Sequence, residues 1–214
     1  MFVGRVGLGG FVGRRSQAGN AALIAALALL VSGCGGGLSL GSKPPPPTYD
    51  LFAAQSFPRR SGPPRGQLIV VEPTALAVLD TEKIVVRPSP DEVAQLGNAQ
   101  WQDRLPKLLQ ARVVQSFENA SRLRAVGKPG DKLVADFQLV IDVRAFEISA
   151  TGSTADVVIA AKIVRERTGR VVAARIFRAS VPSAGTEGPS AVAALNDAFA
   201  NVAVQLVLWA ARLV

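Results

Sequence analysis

From Tyr49 onward the alternation of apolar and polar positions changes period several times, and each change marks an element. Residues 67–73 (QLIVVEP) and 83–87 (KIVVR) are short runs rich in β-branched side chains, bounded by Gly and Pro, and predict two strands. Trp101, Leu105, Leu108, Leu109, Val113 and Phe117 then recur at spacings of three and four, the apolar stripe of an amphipathic helix. Pro106 fits this helix only if it begins near Asp103, because the N–H groups of a first turn have no intrahelical acceptor. Asp103 is therefore the expected N-cap. The stripe supplies core, not a cofactor pocket.

Residues 133–149 alternate over their middle, with Phe137, Leu139, Ile141 and Val143 on one face and Asp136, Gln138, Asp142 and Arg144 on the other. That is a half-buried strand of an antiparallel sheet. Residues 156–165 and 170–181 follow as two further strands joined by a turn at Thr168-Gly169. Both faces of this hairpin carry apolar side chains: Val157, Ile159 and Ile163 on one, Val158, Val164 and Phe177 on the other. A plain two-residue turn would set Lys162 opposite Arg175, which like charges disfavour, so the register stays open. The second, partly apolar face is a candidate interaction surface, with Phe177 as the expected partner contact.

The chain closes with Leu195, Phe199, Val202, Leu206, Trp209 and Leu213, spaced 4, 3, 4, 3, 4, in a helix that begins after Gly188-Pro189 with Ser190 as its expected cap. Beyond Phe199 the helix is apolar almost all round, so it must be covered by a sheet or by a second subunit of a homo-oligomer. Its few basic residues argue against a membrane-surface role. The order strands, helix, three strands, helix predicts an α+β domain over 49–214: an antiparallel β-sheet with two amphipathic helices packed on one face.

Before Tyr49 the pattern is of another kind. Arg14 and Arg15 precede Ala21 to Val31, eleven residues of unbroken apolar character, the layout and length of a signal-peptide core. A bilayer span needs roughly 20 residues, so residues 1–33 read as a removable leader. Val31-Ser32-Gly33-Cys34 resembles a bacterial lipobox, an aliphatic and two small residues before the cysteine that accepts diacylglycerol. Cys34 is the only cysteine of the 214 residues; a thiol for redox chemistry or a disulfide would need a partner. Two or more acyl chains, at about 0.8 kcal/mol per buried methylene, hold a protein stably to a lipid bilayer. Gly35 follows, where an Asp would resemble an inner-membrane retention signal, and this favours the outer membrane. Residues 34–48, with four glycines and four consecutive prolines, are a linker that is flexible first and extended afterwards.

Composition removes most alternatives. With one Cys and no His, the usual means for a transition-metal site, for Ser-His or Cys-His catalysis and for an intramolecular disulfide are missing. No cofactor motif emerges: Gly7, Gly9 and Gly13 have the wrong spacing for a dinucleotide loop, with no strand before them. The acidic pairs Asp91-Glu92 and Asp142 with Glu147 diverge on a strand, which argues against acid–base chemistry. The net charge of +8 is not a nucleic-acid signal, because Arg5, Arg14 and Arg15 of the leader account for three charges and leave a modest +5. In the loop FPRRSGPPRG, Arg59, Arg60 and Arg65 form either a solvated face or a contact to anionic head groups or an acidic partner.

Several stretches in order carry a resemblance: the lipobox, TYDL at 48–51, IVVRPSPDEVAQLGNAQW ending at Trp101, LPKLLQARVVQSFENASRLRAV at 105–126, FQLVIDVRAFE at 137–147, RTGRVV at 167–172 and the last helix. Together they resemble the ABC-type transport auxiliary lipoproteins, found beside mammalian-cell-entry (MCE) type lipid transporters of Gram-negative envelopes. The resemblance implies a non-enzymatic periplasmic component that helps an MCE-domain protein and an ABC permease/ATPase complex move phospholipid or another hydrophobic solute. Against this adaptor stands a carrier or outer-membrane assembly lipoprotein that binds lipid itself and would need an apolar cavity.

Overall fold

The computed structural model describes residues 45–59 and 62–214, which form one unit, Pro45–Val214. Among them the chain runs through β1 (Thr48–Tyr49), β2 (Arg65–Val70), β3 (Thr74–Ala75), β4 (Lys83–Ser89), β5 (Glu92–Trp101), α1 (Leu105–Ala120), β6 (Leu123–Gly127), β7 (Phe137–Ser149), β8 (Thr154–Arg165), β9 (Arg170–Pro182) and α2 (Gly188–Ala210). The architecture is α+β, as the periodicities predict.

The alternating run becomes the spine of the sheet. Along one side β7 pairs antiparallel with β8 from Phe137 to Ser149. Along the other it takes three shorter strands in succession, all parallel: β2 at Phe137–Leu139, β3 at Asp142–Val143 and β4 at Glu147–Ser149. β6 extends β2 in parallel, β5 extends β4 antiparallel, and β9 closes the far side on β8. The sheet is thus mixed, and the expectation of a purely antiparallel one is corrected. The reason is topological: β2, β3 and β4 follow one another in one direction with no hairpin between them, and β6 is followed by β7 in that same direction, whereas hairpins alone would have alternated it.

A register shift between Val143 and Ala145 changes the phase of β7. Before it Phe137, Leu139, Ile141 and Val143 face the core; after it Phe146 and Ile148 do. An extra residue in one strand is what a bulge inserts, and without it Phe146 would point to solvent. Instead Phe146 meets Trp101 edge-on at 5.9 Å between centroids and Phe199 of α2 at 6.3 Å. This aromatic file ties β5, β7 and α2 together.

Both helices lie on that face of the sheet, α2 against β8 and β9, α1 against β6 and β2. Leu195, Phe199, Val202 and Leu206 are fully buried. α2 is long and apolar enough to cross a membrane, with mean hydropathy 1.5 over its window, but its apolar stripe is spent on the sheet. The expected caps are corrected. α1 starts at Leu105 with Arg104 at the N-cap, and Asp103 lies one residue outside, accepting from the Arg104 N–H at 2.8 Å. α2 is preceded by Glu187 at its N-cap, and the Ser190 hydroxyl, already inside, donates to the Glu187 carbonyl at 3.0 Å. Trp101, first member of the helical stripe in the sequence, is the last residue of β5.

The segment that enters the domain is stitched onto the helix layer. Arg112 of α1 pairs with Asp50 at 2.5 Å, the Ser116 hydroxyl accepts from the Ala54 N–H at 3.0 Å, and Asn119 donates to the Ala54 carbonyl at 2.9 Å. Leu51, Ala53 and Ala54 are buried beneath these contacts.

Candidate interaction surface

The β8–β9 hairpin holds the clearest departure from a solvated surface. Its strands are joined through Glu166–Gly169, where the Thr168 and Gly169 N–H groups both donate to the Arg165 carbonyl, at 3.3 and 2.9 Å. Gly169 takes φ +63°, a left-handed conformation that glycine adopts without penalty. The loop closes on the pair Arg165 and Arg170, and a register shift follows between Ile163 and Val164 that leaves Val172 as the extra residue. Lys162 then lies opposite Ala174, and Arg175 opposite Ala161. The like-charge pair of the plain two-residue turn is avoided.

This shift corrects the reading of Phe177. A one-residue slip exchanges the two faces of a strand. With the bulge, Phe177 lies opposite Ile159, on the core face, 1% exposed, and its ring meets Trp209 edge-on at 5.5 Å. Phe177 is core, not a partner contact. The residues turned outward are its neighbours. Val171, Val172 and Ile176 are 53%, 42% and 37% exposed, three of the seven large hydrophobics exposed among the described residues.

Arginines surround them. Arg167, Arg170, Arg175 and Arg178 are all exposed, and no Asp or Glu occurs from 167 to 186. Four arginines elsewhere have carboxylate partners: Arg87 with Glu147, Arg104 with Asp80 and Glu72, Arg112 with Asp50, Arg144 with Asp142. The hairpin arginines form no ion pair among the described residues. The Arg175 guanidinium sits 5.1 Å from the centroid of the Phe177 ring and that of Arg165 4.8 Å from that of Phe137; such cation–π contacts hold the heads in place without neutralising them. The acid-free run was readable in the sequence and was the signal for this surface; the partition between Phe177 and Ile176 was not.

The remaining expected site residues are dispersed. Arg59 is exposed on the loop before β2, and Arg65, also exposed, opens β2 beside Leu123 of β6. Arg60 lies outside the described residues, as do Cys34 and the Val31, Ser32 and Gly33 that precede it. Asp142 and Glu147 are each engaged by an arginine. Among the described residues no group of His, Cys, Asp and Glu side chains could hold a metal ion. Four open depressions hold about 220 to 370 Å³ each. The widest of these, between Phe117 and Glu118 of α1 and Leu123–Val126 of β6, has equal polar and apolar walls.

Known proteins share this arrangement. The crystal structure of protein XCC0632 from Xanthomonas campestris, family DUF330, superposes with a TM-score of 0.70 at 30% identity, covering 78% of this chain and 95% of that one. A second crystal structure, of an uncharacterized protein, has a TM-score of 0.56 at 15% identity, covers 77% of this chain and 95% of its own, and shows the same fold. In sequence, the uncharacterized protein bll6063 of Bradyrhizobium diazoefficiens is 37% identical over 163 residues, 76% of this chain. The chain spans 44% of that relative's length. Residues 49–207, all of β2 to β9 and most of α2, match the ABC-type transport auxiliary lipoprotein component family. The chain belongs to that family, whose members are lipoproteins of the cell envelope associated with ABC transport systems.

Proposed function

We propose that the chain is an anchored adaptor of an ABC/MCE-type system that moves phospholipid or another hydrophobic solute across the envelope. The leader is removed after Gly33, Cys34 carries the acyl chains, and the linker over 34–48 holds the folded domain on the periplasmic side of the outer membrane. The domain contacts the MCE-domain protein and, through it, the permease and ATPase.

The observation that carries the adaptor reading is the filled core. Leu139, Ile141, Ile159, Ile163, Phe199 and Val202, which line the space between sheet and helices, are at most 1% exposed. A carrier shields acyl chains in an apolar cavity of several hundred Å³, whereas the depression beside Phe117 and that beside Val140 and Ala160 are open and half polar. The exposed, unpaired arginines and aliphatic residues of the β8–β9 hairpin suit protein recognition instead.

Two measurements on the native host test the reading. Mass spectrometry of the N-terminal peptide should find an acylated cysteine, and Cys34→Ser should release the protein from the membrane fraction. Affinity capture of the acylated protein should recover an MCE-domain protein. Acyl chains retained inside the domain in native mass spectrometry, with no such partner recovered, would favour the carrier and overturn the adaptor.

A further inference from the structure

β9 is an edge strand of 13 residues whose only pairing among the described residues is with β8. Each backbone N–H and C=O on its outer side is left to water or to another strand. Exposed edges are commonly blunted by being short, by proline, by charge, by a bulge or by a cover; β9 has its arginines and the bulge at Val172, beyond which 173–182 keep a continuous register. β9 is long, and its only proline, Pro182, is its last residue. From Arg170 to Ile176 every residue but Ala173 is exposed. The aliphatic residues exposed along it, Val171, Val172 and Ile176, are β-branched, the type that packs well against a neighbouring strand.

The geometry points to an added strand, and the charge identifies its chemistry. We propose that the free edge of β9 takes up an extended acidic segment of a partner protein as a further antiparallel or parallel strand. Main-chain hydrogen bonds along the edge supply the affinity. The unpaired Arg170, Arg175 and Arg178 select carboxylates on the incoming strand. Pairing of β9 with β9 of a second copy is disfavoured, because it would bring both sets of arginines together with no acid between them. An anionic bilayer offers phosphates to the arginines but no ladder for the backbone. The inference deepens the adaptor reading, resting on it for the existence of a protein partner, yet its test uses no transporter component and so fails or succeeds separately.

The test uses the full chain in detergent and fluorescent peptides of about thirteen residues, long enough to span the strand. One alternates Glu and Val; a second carries N-methyl groups on every amide, so that neither edge can donate; a third has Lys in place of Glu. The first should bind saturably, and both others should bind at least about tenfold more weakly, the loss expected when an edge ladder or its charge match is removed. Hydrogen exchange should slow along 170–182 on binding. Arg170→Glu with Arg178→Glu should cost a similar factor, and the milder Arg170→Gln with Arg178→Gln replaces it if the reversal fails to fold. Equal binding of the N-methylated peptide, protection elsewhere, or binding to phosphatidylglycerol vesicles without binding of the acidic peptide would overturn the proposal. So would β9 amides already protected in a self-associated chain.

Discussion

Asn196, in the middle of α2, accepts the backbone N–H of Phe52 at 2.7 Å, across 144 residues of sequence. Its amide nitrogen donates to the Asp50 carbonyl at 3.3 Å and to the Val192 carbonyl at 3.1 Å. One buried side chain, 9% exposed, thus supplies donor and acceptor to an entering segment that has no strand beside it at that point.

Asn196→Ala leaves the Phe52 N–H unsatisfied against α2, at a cost of about 1–3 kcal/mol. Urea unfolding should show that loss, and hydrogen exchange should accelerate at 50–54 while α2 itself keeps its protection. An unchanged midpoint would mean that water replaces the amide freely.

Phe177→Ala removes a ring packed on Trp209 and should destabilise by about 3–5 kcal/mol. Phe177→Asp buries a carboxylate in the same place and should abolish folding, read by circular dichroism and proteolysis. Ile176→Asp, one residue away and on the open face, should leave the unfolding midpoint nearly unchanged. If the two aspartate variants behave alike, the register of the hairpin is wrong.

That pair of neighbours shows how far the sequence could be read. Element types followed from periodicity wherever one face is buried: Phe137 to Val143 and Leu195 to Leu206 landed in the core as their spacing requires. Glu92–Trp101 and Leu123–Gly127 were not expected as strands, because Val93 points to solvent at 43% exposure and the second run continues the helical residues before it with only Ser121, in the left-handed conformation at φ 49°, to mark the break. Strand direction was not legible either, since it depends on which connections reverse the chain and which, as between β2 and β4 or β6 and β7, do not. Nor was the side of Phe177, since the Val172 bulge decides it and no residue type announces a bulge. The expected leader and Cys34 lie outside the described residues.

Arg87 and Glu147 join β4 to β7 through two parallel hydrogen bonds, Nε to Oε1 at 2.7 Å and Nη2 to Oε2 at 3.1 Å. The parallel β4–β7 ladder is only three residues long here, Val85 to Arg87, so the fork adds to a short contact. A double-mutant cycle with Arg87→Ala and Glu147→Ala should give a coupling of about 1 kcal/mol, the upper part of the range for partly exposed pairs and consistent with bidentate geometry. A coupling near zero would leave the apolar packing of Ile84 and Val86 to hold the two strands together.

Asp103 and Lys107 give the stability of α1 a dependence on pH at both ends. The Lys107 ammonium, 2.7 Å from the carboxylate, and after it the Arg104 N–H hold Asp103 below the ordinary carboxylate range; Asp103 in turn raises Lys107. A lowered carboxylate contributes stability above its unfolded pKa and loses it as pH falls through the folded one. A raised ammonium contributes below its unfolded pKa and loses it as pH rises through the folded one. Asp103→Asn should therefore lower Tm by a small, constant amount between about pH 5 and 9, and the difference from the parent should close towards about pH 2–3 and above about pH 11. Both side chains reach solvent, so the effect should also shrink as salt is added. A difference that persists unchanged below pH 3 would show that Asp103 acts through its hydrogen bond to the Arg104 N–H as a neutral acceptor, and that its charge is irrelevant to the start of the helix.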